Sequence, residues 1–420
     1  MADLMSFPGP VAPGPVKNGK RTGHRGRTPG RAPLGDRLSD LLRREPVRVR
    51  FDRREALTAV GGYLAIASLG FGVLLAICHF RGYHVGYPLT RWDSGDYLRI
   101  ARGGYPHVLT YATDGRPTYN TLGFFPLLPA LIRAVHLLTF LPFAYAGVAV
   151  SWSMAAVAAA GVHTLAGSVF GRRAGYACVG LWACSPYAFT LWVPYSEATF
   201  TAVLMWTLIA VVARRWVWAG ALCALAGTVR PTATVLTAVV ALSALRALML
   251  RRGGRRPWVA LGLAPLGLVF SWLYLGSRIG RLDGWFIAER AWGQQFDFGV
   301  GSLRFLEKVV TYQSTDIRYP VVLAVLMGVA VGVLALALER AVPWPLVLAL
   351  AGAWVLMFGT PGAPLSKPRF LLPFLPIVLL LVVRPVSRLP RLVQGALYGC
   401  GAVFTGWYAF GLLVLFKHAP

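Results

Sequence analysis

ALTAVGGYLAIASLGFGVLLAICHF, residues 56–80, contains no Lys, Arg, Asp or Glu. It is longer than the roughly 20 residues a helix needs to cross a bilayer core. Such runs recur near 143–170, 174–193, 197–213, 216–229, 231–250, 257–276, 319–338, 343–359, 370–384 and 392–416. With 56% of the 420 residues hydrophobic and fourteen Trp, the chain is far more apolar than one soluble core requires. The expected fold is therefore all-α, a polytopic transmembrane bundle of about 11 spans, here estimated from the runs.

Before the first run lies a segment rich in Pro, Gly and basic residues, KNGKRTGHRGRTPGR followed by LLRREPVRVRFDRRE. Residues 1–55 read as a basic cytoplasmic tail that cannot bury a core, and 56–420 as the membrane domain. Nucleic acid is not the expected partner of the +26 net charge, because the basic residues sit in this tail and in short connections. That distribution is the orientation signal of a membrane protein. It puts the N-terminus, Arg172/Arg173, Arg214/Arg215, RRGGRR (251–256), Glu339/Arg340 and 384–391 on the cytoplasmic face of the cell membrane. The parity holds only if LGFFPLLPALIRAVHLL, 122–138, dips in without crossing.

The acids then fall on one side. Ten lie beyond residue 55, and all but Glu339 land in or beside the outer loops 81–121 and 277–318 or just after Pro194-Tyr195-Ser196. Acids contribute little to orientation, so this segregation is independent of the walk. It points to an outward-facing polar site in a chain with sixteen Asp and Glu against forty-two Lys and Arg.

RWDSGDYLRIARGGYP, 91–106, carries two of those acids and reads as a short helix in the first outer loop. Asp93 suits an N-cap, with Asp96 completing an approximate capping box and Gly103-Gly104 ending the helix. A functional reading stands beside it. Asp93, Tyr97 and Ile100 share one face, which places Asp93 toward the apolar interface as a proton acceptor for a hydroxyl. SPYAFTLWVPYSEATF, 185–200, breaks at Pro194, where Ser196 suits a cap and Glu197 suits either the first turn of a helix or the orientation of sugar hydroxyls. In GTVRPT, 227–232, Arg230 precedes a helix-breaking Pro231 on the outer side, where a planar guanidinium matches a phosphate. Lys367 and Arg369 of SKPRF serve either as headgroup anchors or as the rest of a cationic pocket for a lipid phosphate. The five cysteines lie in apolar runs without ligand spacing, and no metal site or cofactor is expected.

In order, RWDSGDYLRIARGGYP, NTLGFFPLLPALIRAV, SPYAFTLWVPYSEATF, GTVRPT and KPRFLLPFLP resemble the PIG-V-like mannosyltransferases, the family of the second mannosyltransferase of GPI-anchor synthesis. The resemblance runs from about 56 to 416 and is closest to the bacterial, actinomycete-type members. It implies a GT-C glycosyltransferase that takes mannose from a polyprenyl phosphate donor on the extracytoplasmic side. The family's catalytic acid maps onto Asp93 beside Trp92, its YSE motif onto Tyr195, Ser196 and Glu197, and its VR pair onto Val229 and Arg230. Asp96 departs from the His usual in WDxxH, which leaves its role between a supporting acid and an acceptor contact. A flippase or transporter of lipid-linked sugars is the competing class; it is disfavoured because the acids gather at one side instead of the midplane.

Overall fold

The computed structural model describes residues 47–115, 117–312, 316 and 318–416, so most of the expected basic tail, 1–46, lies outside the described residues. Those described residues form helices, with a single isolated bridge between Tyr111 and Pro117 and no strand. Five helices are long and apolar enough to cross a membrane: Arg53–Phe80, Phe143–Phe170, Arg256–Arg278, Arg318–Leu338 and Arg391–Leu415. Shorter apolar helices stand among them.

Helix α1 (Arg53–Phe80) begins at Asp52, whose carboxylate accepts from the N–H groups of Arg54 and Glu55. Its buried residues, Ala56, Ala59, Tyr63, Ala67, Gly70, Leu74 and Cys78, recur every three or four positions and turn one stripe inward. Small residues let it meet the last helix closely. A Cβ on Gly406 would stand 2.3 Å from the Gly70 carbonyl oxygen.

The chain then alternates between two faces. Helix α2 (Asp93–Gly103) lies in the first loop, and α3 (Leu127–Thr139) starts with the Leu127 N–H donating to the Thr228 carbonyl. A left-handed Phe140 turns the chain into α4 (Phe143–Phe170), whose Gly147 packs on Pro194. The start of α3 thus lies against Thr228 and the start of α4 against Pro194. Next come α5 (Arg172–Ala183), α6 (Ser196–Val212), α7 (Trp216–Ala226) and α8 (Ala233–Met249). Then α9 (Arg256–Leu263) and α10 (Leu266–Arg278) form one crossing broken at Pro265. Loop helices α11 (Gly284–Glu289) and α12 (Val300–Tyr312) precede α13 (Arg318–Leu338) and α14 (Trp344–Gly359).

The expected span 370–384 is not one helix. Prolines 368, 373, 376 and 385 remove backbone donors and divide it into α15 (Lys367–Leu371), a 3-10 turn, α16 (Leu375–Leu379) and α17 (Val383–Val386). Helix α18 (Arg391–Phe410) follows and ends in a π turn. At the face opposite Pro194, Arg172 pairs with Glu55 at 3.8 Å and Arg384 with Glu339 at 3.6 Å. Glu339 is thus on the far face from Asp93 and Glu197, as its sequence position requires.

Candidate active site

Four charged side chains from four distant segments form an alternating chain. Arg369 Nη2 donates to Asp93 Oδ2 at 2.6 Å, and Arg369 Nε lies 3.9 Å from Glu197 Oε1. The same Glu197 oxygen pairs with Arg230 Nη1 at 2.9 Å. Glu197 is 1% exposed and Arg369 3%, whereas the Asp93 side chain keeps 19% of its surface open. Two guanidiniums balance two carboxylates, which offsets the large cost of holding lone charges out of water.

Local structure explains why these atoms converge. Trp92 has φ 53°, a left-handed conformation that a bulky side chain adopts at a cost of roughly 1–3 kcal/mol. This turn makes Trp92 the N-cap of α2 without a side-chain cap bond and puts Asp93 inside the helix. The capping reading of Asp93 is thereby corrected: its carboxylate is spent on Arg369. Asp96 accepts from the Tyr119 hydroxyl and pairs with Arg99 at 3.2 Å. Burial, only partly opposed by the Tyr119 bond, holds the Asp96 carboxyl above its usual range. Tyr97 and Ile100 are buried on the face they share with Asp93, and Gly104 ends the helix at φ 79°.

Beneath this pair the chain between α5 and α6 is irregular yet buried, so its backbone needs partners inside the protein. Ser151 donates to the Val193 carbonyl at 2.8 Å, and the Trp152 indole donates to that of Trp192 at 3.1 Å. Tyr195 follows as the N-cap of α6; Ser196, expected as the cap, makes no capping bond. Tyr195 lies under the Arg369 guanidinium at 5.0 Å. Phe370 receives both cations, Arg369 at 4.8 Å and Arg230 at 4.9 Å, and so acts as a common floor.

Lys367 does not join this chain through any contact among the described residues. Its Nζ donates to Ser302 Oγ at 2.7 Å, near the start of α12, where Asp297 accepts from the N–H groups of Gly299 and Gly301. Lys367 and Arg369, two positions apart, thus reach different neighbours. Sequence reasoning missed Tyr119, Ser302 and Phe370. Only Phe370 had a local signal, its place between Arg369 and the apolar run.

Unspent hydrogen-bonding capacity remains at the centre. Among the described residues, Arg369 Nε and Nη1 and Glu197 Oε2 are buried without hydrogen-bond partners. Such groups suit a polar ligand that brings both donors and acceptors. No group of three or more His, Cys, Asp or Glu side chains among the described residues is arranged to hold a metal ion.

ArnT from Cupriavidus metallidurans, solved bound to undecaprenyl phosphate, is similar with a TM-score of 0.50 and 16% identity over 80% of this chain and 61% of its own. The apo oligosaccharyltransferase of Archaeoglobus fulgidus aligns with a TM-score of 0.41 and 13% identity, over 85% of this chain and 56% of its own. The chain thus spans about three fifths of the length of these structures. No protein-family model matches it, and no curated protein matches it in sequence.

Proposed function

We propose that the chain is a membrane glycosyltransferase that moves a hexose, mannose in the reading its motifs favour, from a polyprenyl phosphate to a hydroxyl of a lipid, glycan or protein acceptor. The observation that carries this reading is the partly exposed Asp93 carboxylate held 2.6 Å from a buried arginine with two nitrogens that have no hydrogen-bond partner among the described residues. The likeness in fold to ArnT, bound to undecaprenyl phosphate, supports the choice of carrier. The positive-inside rule assigns the acid-rich face to the extracytoplasmic side.

In this mechanism Asp93 accepts the proton of the acceptor hydroxyl as its oxygen bonds to the anomeric carbon. The bond from that carbon to the phosphate oxygen breaks, and its electron pair leaves with the lipid phosphate. Arg369 and Arg230 stabilise the added negative charge, while Trp92, Asp96 and the Tyr195-Ser196-Glu197 corner shape the sugar site. Phosphate departs without a general acid, so a second catalytic carboxylic acid is not needed. One displacement inverts the anomeric centre. Lys367 supports the phosphate side through the α12 loop instead of contacting Arg369.

The test uses the full chain with polyprenyl phosphate mannose, other polyprenyl phosphate hexoses in parallel, and envelope extract from a strain lacking the protein. Wild type should release polyprenyl phosphate and form a glycosylated product. Asp93→Asn should lower that rate about 10²–10⁴-fold, the range for loss of a positioned base. Transfer by Asp93→Asn at the parent rate, or no consumption of any donor by the parent, would overturn the reading.

A further inference from the structure

At the face remote from Asp93, the ends of α6 and α8 and the starts of α7 and α14 border a partly open cavity of about 50 Å³, with Arg214 and Arg252 exposed at its rim and Arg246 half-buried. It has room for a few water-sized groups, the scale of a phosphate. Arg214, Arg246 and Arg252 line it together with Ser243, Trp216 and Trp344. Among the described residues none of the three arginines pairs with a carboxylate, although this chain gives its scarce acids to Arg172, Arg230, Arg369 and Arg384. The charges acting on Arg246 are those of Arg214 and Arg252, both of its own sign.

Capping of the two helix ends beside the cavity is already supplied by backbone groups. The final carbonyls of α6 are closed by backbone: Arg214 N–H donates to Val211 O at 3.0 Å and Arg215 N–H to Ala210 O at 2.8 Å. The end of α8 repeats the arrangement, with Arg251 N–H on Leu248 O and Arg252 N–H on Ala247 O, each at 2.8 Å. Guanidiniums are therefore not needed as caps. Arg214 and Arg251 hold left-handed conformations, φ 56° and 52°, where glycine is the usual residue. Arg246 lies over Trp344 at 5.7 Å, which fixes its plane beside the cavity. Ser243 is 5% exposed, and its buried hydroxyl has no hydrogen-bond partner among the described residues.

We propose that this cavity binds a phosphate group, carried either by an anionic phospholipid headgroup or by a soluble phosphoryl compound. Three cations supply the charge, and Ser243 supplies a hydroxyl that a phosphate oxygen would satisfy. The site lies at the opposite membrane face from the candidate active site, and its binding does not depend on the transfer reaction.

Native mass spectrometry of the detergent-purified full chain tests it, with dioleoylphosphatidylglycerol, dioleoylphosphatidylcholine and inorganic phosphate as separate probes. The parent should retain phosphatidylglycerol over phosphatidylcholine, or retain inorganic phosphate if the ligand is soluble. Arg246→Gln should lower that retention about fivefold, the size expected for one basic side chain at an anionic headgroup. Ser243→Val, which fills the cavity without changing charge, should lower it as well. Arg388→Gln removes an exposed arginine of the same face outside the cavity and should leave it unchanged. Equal retention of both lipids with none of phosphate, an equal loss in Arg388→Gln, or full retention in Ser243→Val with a parent-like thermal midpoint would overturn the proposal.

Discussion

Arg369 and Asp93 are 276 positions apart, yet one bond joins them, and Glu197 links the pair to Arg230. Each residue type was visible in its motif, because an acid or arginine inside an apolar chain is conspicuous. Partnership was not visible. The sequence set Arg230, Lys367 and Arg369 opposite Asp93 as one phosphate pocket; the structure instead gives Arg369 to Asp93, Arg230 to Glu197 and Lys367 to Ser302. Glu197 is buried enough that losing its close partner leaves a charge with little water to compensate it. Arg230→Met should therefore destabilise the protein by about 3 kcal/mol, read as a lower thermal midpoint in detergent. The double variant Glu197→Met/Arg230→Met should recover much of that loss. A single variant melting like the parent would show that the pair carries no structural weight.

Helices were legible where they are long and apolar, and most ends fall close to the runs read from sequence; the expected span 174–193 is an exception, its helix ending at Ala183 before an irregular stretch with a 3-10 turn. Elements failed where chemistry outweighed local propensity: the expected caps at Asp93 and Ser196 gave way to Trp92 and Tyr195, and proline spacing broke 370–384. In the outer loop, α11 carries Glu289 against Gly123, where a Cβ would stand 2.7 Å from its Oε1. Burial pushes this carboxyl from the ordinary 4.5 up to about 8. The folded chain therefore holds a proton that the unfolded chain has released between those values. Stability falls as pH rises through that window. Glu289→Gln cannot ionise, so its thermal midpoint relative to the parent should climb from pH 4.5 to 8 and level off beyond; a constant difference would refute the shifted titration.

Across the whole molecule the helices sort charge into two faces, with Asp93, Asp96 and Glu197 at one and the Arg384–Glu339 pair at the other. Exposed positions report the orientation directly. In a Cys400→Ala background, which removes an exposed native thiol, Val108→Cys should react with a membrane-impermeant maleimide on intact cells. Arg388→Cys should react only after permeabilisation, and the reverse pattern would invert the assigned sides. The sequence by itself determined that the chain is a helical membrane protein and that most acids of its membrane domain gather toward one face. Hydropathy and charge act locally against the bilayer, so these properties can be read one segment at a time. Only the tertiary structure decided which charge meets which. In a water-poor interior a carboxylate takes whichever cation packing brings within a few ångströms, and that depends on the rotation and depth of helices hundreds of residues apart.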